Sequence, residues 1–410
     1  MTDQAAQDAT GGSLVGFLRR THLSRPADLA EVVAGEATRL GAEDVVVYLI
    51  DYEQDVLVPV PYEGSPERTE QVVEATMAGR TFATSAILHG VAGDGGGPRL
   101  WLPLLDGTDR LGVLELRLRE PVTDDLTVLL ERFAHLVAQS VVTKNAYGDV
   151  FERIRRRRPM TVASELLWRL LPPLTFATDD FVVSAILEPC YSIGGDAFDY
   201  AVNDHVAHVA VFDGMGHGLA AAGLTSFALA AYRVARRSGE GLFETYAMMD
   251  TAVLEQFAAE RYVTAILAEL DLITGRFRWL SAGHPPPLLI RGGRVVKTLE
   301  AAPCTPIGVP FAPACPEFAE EQLESGDLVL FYTDGLPEAR LADGEFFGVE
   351  RLGEFVEREA GAGHPAPETL RRLRRSVLAH QRGELQDDAT AVLIEWRRGG
   401  ERRLVPSDVL

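Results

Sequence analysis

The sequence predicts an α+β protein: an N-terminal domain of mixed strands and helices, and a larger C-terminal domain built as a sheet-on-sheet core flanked by helices. Three observations carry this. Short β-branched or alternating apolar runs recur along the chain, amphipathic helical stripes fall between groups of them and not in strict alternation, and the strand density rises after about Leu174. The expected boundaries are 1–23 for a flexible N-terminus, 24–144 for the first domain, 145–173 for a helical connector, 174–398 for the second domain and 399–410 for a C-terminal tail.

In the first domain, Ser24 and Pro26 signal a helix start, Leu29, Val32, Val33, Ala37 and Leu40 share one helical face, and Gly41 supplies the stop. Asp44 to Ile50 and Arg99 to Leu105 read as apolar strands. Arg110 to Leu118 alternates after the turn "DGTD" and reads as the second arm of a hairpin. A helix from about Thr123 to Val142 closes the unit. No cysteine or histidine here offers an obvious anchor for a chromophore or haem, and His89 and His135 read as surface residues.

The connector holds the basic run "RIRRRRP", Arg153 to Pro159, which reads first as a solvated linker face and second as a patch that docks on an acidic neighbour. Val162, Leu166, Leu167, Leu170 and Leu171 then form a helical stripe ended by Pro172 and Pro173. Such a stripe either pairs in a dimer or caps the domain that follows.

In the second domain, strands are expected at Phe181 to Pro189, His205 to Gly214, Val263 to Asp271, Arg276 to Gly283, Asp327 to Gly335 and Thr390 to Trp396. Helices are expected near 218–237, 241–258 and 367–381.

The chain has 410 residues, 47% of them apolar, and a formal charge of −21, which a nucleic-acid polyanion would find repulsive. Most of that surplus acid is a solvated surface. Cys190, Cys304 and Cys315 are too few for a disulfide framework or a four-cysteine zinc site, and a reducing compartment fits them. The polar start "MTDQAAQDATGG" lacks a signal layout, and no apolar stretch of about 18 uncharged residues is expected, so the reading is cytoplasmic without membrane insertion.

Asp-Gly occurs at Asp94, Asp106, Asp213, Asp334 and Asp343. Turns explain Asp94, Asp106 and Asp343. Asp213 and Asp334 differ, because each ends a long apolar strand where an unpartnered, half-buried carboxylate is costly. After Asp213, "GMGHG" lets the backbone approach a ligand and a helix begins at once, so amides can face an anion. Asp196 stands behind paired glycines in "SIGGDAFDY", and Asp387 and Asp388 precede the last strand. Carboxylates at four strand ends of one domain fit hard divalent ions, not histidine-rich zinc ligation.

Two resemblances follow from these motifs. The layout of helix, strands and "WLPLLDGTDRLGVLEL" in the first domain resembles a GAF domain, a sensory module that often dimerises. The order "GGDAFDY", "VFDGMGHG", "SAGHPPPLL", "FYTDGLPEAR" and "DDATAVLIEW" resembles the PPM-type metal-dependent Ser/Thr protein phosphatases of the SpoIIE-like branch, over about 220 residues. That resemblance implies a β-sandwich with helices on both faces and two Mn2+ or Mg2+ ions at one end. By motif, Asp196 matches the first metal-site carboxylate, Asp213 the bridging one, Gly214 the carbonyl ligand, and Asp334 and Asp387 the remaining acids. Asp388 is the adjacent alternative, and Asp199 is either a helper or a structural acid. A water shared by two ions about 3.5–4 Å apart would attack the phosphorus of a phosphoserine or phosphothreonine in line, without a covalent intermediate.

His217 reads as an exposed loop residue before a leaving-group acid, and His284 as the shaper of a turn. No arginine upstream of "GGD" matches the phosphate-gripping arginine of the eukaryotic relatives, which leaves phosphate capture to metals and backbone. The implied substrate is a phosphorylated anti-sigma-factor antagonist, and the sensor and connector are expected to control activity and to support a homodimer. The alternatives are a partner-docking pseudophosphatase, against which the full set of acids speaks, and a phosphatase or nuclease for small molecules or nucleic acid.

Overall fold

The computed structural model describes residues 14–91, 97–310, 317–340, 345–380, 387–398, 402 and 404–406. The Asp-Gly pairs at Asp94 and Asp343 lie outside them, as does Cys315. The chain divides into two compact units that meet at Arg158 and Pro159, inside the stretch read as a connector; the described C-terminal residues 402 and 404–406 group with the first unit.

The first unit opens with a helix over 14–22 (α1) and a single 3-10 turn at Pro26–Asp28 leading into α2, Leu29–Arg39. Then come β1 (Ala42–Ile50), β2 (Val56–Pro59), β3 (Gln71–Val72), α3 (Met77–Thr84), β4 (Leu88–Val91), β5 (Pro98–Asp106), β6 (Asp109–Leu118), α4 (Asp124–Asn145) and α5 (Val150–Arg155). One antiparallel sheet in the order β3-β2-β1-β6-β5-β4 results, with Asp106 paired to Asp109 across the expected hairpin turn. On one face Phe17, Leu29, Val33, Phe133 and Val137 pack with alternate strand residues; on the other, Tyr48, Trp101 and Val113 meet Phe82 of α3. His89 is exposed and His135 half-buried.

The arginine run is not a solvated linker face. Arg155 Nε donates to Ile50 O at 3.0 Å and its guanidinium lies 4.7 Å from the Tyr52 ring centroid. Arg156 pairs with Glu152 of α5, Arg157 with Glu70 and Arg158 with Glu53, so the run is tied to acids of its own unit.

The second unit contains α6 (Val162–Leu170), β7 (Thr175–Thr178), β8 (Phe181–Glu188), β9 (Asp196–Asn203), β10 (Val206–Gly214), α7 (Gly218–Arg237), α8 (Leu242–Phe257), β11 (Val263–Asp271) and β12 (Arg276–Ala282). It continues with β13 (Leu288–Arg291), β14 (Arg294–Thr298), β15 (Pro303–Cys304), β16 (Ala319–Gln322), β17 (Asp327–Tyr332), α9 (Gly348–Gly361), α10 (Ala366–His380) and β18 (Ala389–Trp396). Two sheets form, β15-β12-β11-β10-β9 with β16 beside β12, and β14-β13-β17-β18-β8-β7. Their inner faces share one core that includes Val183, Val211, Phe277, Phe331 and Val392. Helices α7 and α8 cover the first sheet and α9 and α10 the second, the layered sandwich that was expected.

Two expectations need correction. Helix α7 is long and apolar enough to cross a membrane by length and composition; however, Ala222, Leu224, Ala228 and Leu229 are buried in the sandwich core, which accounts for its apolar character. Cys304 is disulfide-bonded, although the cysteine count suggested reduced thiols, while Cys190 is a free, buried thiol.

The stripe on α6 caps the domain. Ala163 and Leu167 enter the sandwich core and Leu170 and Leu171 pack against it, whereas Val162 is 70% exposed. Leu167→Ala should therefore lower unfolding stability by about 2–5 kcal/mol, and Val162→Ala by less than about 0.5 kcal/mol. Chemical denaturation of the two variants checks this, and equal losses would contradict the capping role.

Candidate active site

The antiparallel register of β9 and β10 sets Asp196 directly opposite Asp213, and that of β10 and β11 sets Asp213 opposite Thr264. Directly opposed residues share a sheet face. Phe212, one position earlier, points the other way and meets Tyr232 of α7 with ring centroids 5.6 Å apart. Asp196 and Asp213 therefore face the second sheet, at one end of the sandwich.

That sheet meets them with hydroxyls and amides. Thr333, which follows β17, donates to Asp196 Oδ2 at 2.6 Å and accepts from Thr390 N at 2.9 Å, so one hydroxyl ties the buried carboxylate to both β17 and β18. Asp388 Oδ2 accepts from the Gly194 and Gly195 amides at 2.8 and 2.5 Å. The paired glycines are thus a receptor for the acid that opens the last strand. Close approach explains glycine at two points: a Cβ on Gly194 would lie 2.3 Å from Gly218 N, and one on Gly335 would lie 1.9 Å from Asp388 O. Thr225 of α7 donates to Gly195 O at 2.5 Å and the Gly214 amide donates to the same oxygen at 3.0 Å, joining the glycine pair to β10 and α7.

The carboxylates act on one another. Burial, then Asp334, Asp387 and Asp388, pushes the Asp213 carboxyl up to about 7. Burial, then Asp213 and Asp388, raises Asp196 well above the ordinary carboxylate range. Desolvation, then Glu338 and Asp387, raises Asp334, which stands two residues beyond β17. Burial raises Asp388, partly offset by the Gly195 and Gly194 amides. Among the described residues, no lysine or arginine is among the main groups that act on these four.

Among the described residues, no three acidic, histidine or cysteine side chains converge as a finished metal cage. The donor set fits hard divalent cations: it consists of oxygens alone, its charge is uncompensated, and its members' ionised forms are disfavoured until positive charge arrives. Asp213 is central to it, coupled to Asp196 and Asp388 as well as to Asp334 and Asp387.

Asp199 belongs elsewhere. It lies three residues after Asp196 on β9, hence on the opposite face, where Arg233 donates from Nε and one terminal nitrogen at 3.1 and 2.7 Å and Arg236 pairs at 3.0 Å. It is a structural acid that fixes α7 to the sheet. His217 is exposed at the N-cap of α7 and makes no side-chain capping bond. His284 is buried, its ring lowered to about 4 chiefly by burial, and its main chain closes a turn with the Ser281 hydroxyl; Nδ1 lies 3.1 Å from Thr264 Oγ1. Thr225, Thr333 and Thr390 are the contributors that sequence reading missed, although two of them sit in the motifs "YTDG" and "DDAT".

These environments separate two kinds of aspartate. Asp199→Ala leaves two guanidiniums unpaired and should cost about 3–5 kcal/mol of stability. Asp213→Asn should stabilise the metal-free protein at neutral pH. Its native carboxyl binds protons up to about pH 7 and its unfolded one only to about 4, so wild-type stability falls as pH rises through that window. Thermal melts in chelator from pH 4 to 8 check this: the gap between Asp213→Asn and wild type should open above pH 4 and level off above 7.

A family model described as Stage II sporulation protein E (SpoIIE) matches residues 203–397. Among curated relatives, phosphoserine phosphatase RsbU of Bacillus subtilis is 24% identical over 213 residues, covering 52% of this chain and 62% of its own. Phosphoserine phosphatase RsbP of the same organism is 29% identical over 172 residues, covering 38% and 40%. The chain thus spans about half the length of the curated relatives it matches. Among solved structures, the SiaA-PP2C domain of Pseudomonas aeruginosa matches 57% of this chain and 94% of its own at 20% identity, with a TM-score of 0.48. The matched stretch contains Asp213, Asp334, Asp387 and Asp388 and begins just after Asp196, so the second unit is similar to the SpoIIE family over most of the residues that form the candidate site.

Proposed function

We propose that this chain is a metal-dependent phosphoprotein phosphatase that hydrolyses phosphoserine or phosphothreonine on a regulatory protein. The observation that carries the proposal is Asp213, half-buried at the end of β10 inside a family-matched domain, with acidic neighbours and, among the described residues, no basic group named as acting on it. In this reading Asp196, Asp213, the Gly214 carbonyl, Asp334 and Asp387 hold two Mn2+ or Mg2+ ions, with Asp388 as the alternative to Asp387. The bound ions supply an activated water and charge stabilisation for in-line attack on phosphorus.

The chain's own residues do the positioning. Thr333 and Thr390 orient Asp196 between the sheets, and the Gly194 and Gly195 amides hold one Asp388 oxygen, leaving the other for a ligand. Helix α7 begins five positions after Asp213, and the first amides of a helix have no partner within it, which favours phosphate oxygens in this reading.

The substrate in this proposal is a phosphorylated anti-sigma-factor antagonist, as the family resemblance implies, and the names of RsbU and RsbP support phosphoserine specificity. The N-terminal domain acts as the sensor that sets activity. The protein works in the cytoplasm, and self-association uses the N-terminal domain and the connector, where Val162 and the 37% exposed Leu166 leave apolar surface on α6.

The test is phosphate release from a phosphorylated sigma-regulator protein and from p-nitrophenyl phosphate, with and without Mn2+, for the full chain. Turnover should require the metal and fall on the order of 100-fold or more in Asp213→Asn. A wild-type protein that binds no Mn2+ by calorimetry and releases no phosphate would instead be a docking module.

A further inference from the structure

The end of the sandwich that holds the carboxylates also carries an apolar rim. The register of β10 and β11 sets Asp213 opposite Thr264 and Gly214 opposite Val263, and the pairing continues one step further, where the Met215 amide donates to Tyr262 O at 3.1 Å. Met215 and Tyr262 therefore stand two residues past the Asp213–Thr264 pair, about 7 Å at the rise of a strand. Both are exposed, at 42% and 39%, and so is Leu219 in the first turn of α7, at 57%. The Met215–Tyr262 bond is between main chains, which leaves both side chains free to be covered.

Isolated exposed apolar residues are ordinary, but a group of them beside a candidate site marks a contact surface. This one stands out against a chain of formal charge −21, because Gly214 to Tyr232 contains no lysine, arginine, aspartate or glutamate. Glu260 and Arg261, which precede Tyr262, are of opposite sign, so the rim has no net charge with which to select a basic or an acidic partner. Methionine and tyrosine are also residues that contact surfaces favour, the first for its adaptable shape and the second for its large, stiff ring.

What covers the rim follows from where the phosphate goes. A phosphoester hydrolysed at Asp213 is carried by a chain that passes the rim, and an extended chain advances about 3.3 Å per residue. A side chain two or three residues from the phosphorylated one spans the same distance as Met215 and Tyr262 do from Asp213. We infer that the substrate carries a bulky apolar side chain within three residues of its phosphoserine or phosphothreonine, and that this side chain packs on Met215 and Tyr262 with Leu219 as the outer contact. The inference rests on the phosphatase reading and adds a sequence preference to it.

The test is Mn2+-dependent phosphate release by the full chain from synthetic phosphoserine peptides with alanine on both sides, or with leucine, glutamate or lysine placed at one flanking position at a time. The best leucine peptide should exceed the alanine peptide in kcat/KM by about tenfold or more, the worth of an added apolar contact. That ratio should collapse towards one in Met215→Gln and in Tyr262→Ser, substitutions at exposed positions that leave the core intact. A wild-type ratio near one, a preference for glutamate or lysine, or a ratio unchanged in both variants overturns the inference alone, as does turnover of p-nitrophenyl phosphate without turnover of any peptide. Loss of self-association in the variants by sedimentation, with selectivity unchanged, would give the rim to a second copy of this chain and overturn it too. No turnover of the peptides or of p-nitrophenyl phosphate overturns the phosphatase reading and the inference with it.

Discussion

Asp196 and Asp213 are set face to face across an antiparallel strand pair, and much of the second unit's architecture serves that unfavourable contact. Like charges directly opposed on a sheet repel, and burial raises the cost because neither can be solvated. The fold tolerates the pair by surrounding it with donors that cannot collapse onto it. Thr333 reaches Asp196 from the other sheet, the glycine amides reach Asp388, and Thr225 braces the glycine loop from α7. Each brace comes from a different element, so the sandwich must close before the acids are held. A cation bound there relieves the repulsion and adds to stability by mass action, which links metal affinity to folding.

Much of this was legible in the sequence, for reasons that differ by element. The runs ending at Asp213 and Asp271, and the run that begins the "FYTDG" motif, are apolar and β-branched enough to declare themselves as strands. The stretch Asp196–Asn203 did not, because two aspartates and a preceding Gly-Gly argue against a strand on propensity alone. Once it is read as a strand, its period of two separates Asp196 from Asp199 and settles which acid faces the site. The edge strand β14 and the helix α9 were also missed: β14 is short and mostly exposed, and α9 begins at a glycine without a side-chain cap. The threonines stayed hidden because their role depends on hydrogen bonds across sheets, which no local pattern encodes.

The arginine run shows a different limit. Its composition alone favours solvation, since a block of like charges repels itself. What overrides this is the placement of Glu53, Glu70 and Glu152 on three separate segments of the first unit, each within reach of a different arginine. Exposed ion pairs contribute little singly, and Arg157 and Arg158 remain partly exposed. Arg155 is held more firmly, by a carbonyl of β1 and the face of Tyr52. The clasp therefore has one firm point, at Arg155, and several weak ones.

The two aspartates of β9 show how one strand divides its work. Asp199, facing out, meets two guanidiniums of α7 and is paid for in full by charge pairing. Asp196, facing in, meets hydroxyls and other carboxylates among the described residues. The difference is not one of residue type or of burial, since both side chains are almost wholly enclosed. It lies in whether the neighbouring element supplies cations. Helix α7 carries arginines in its last turns, against Asp199, and small apolar residues with an uncharged glycine entry in its first, beside Asp213. By placing its basic end away from the carboxylate cluster, α7 anchors the sheet without neutralising the charge that the site depends on.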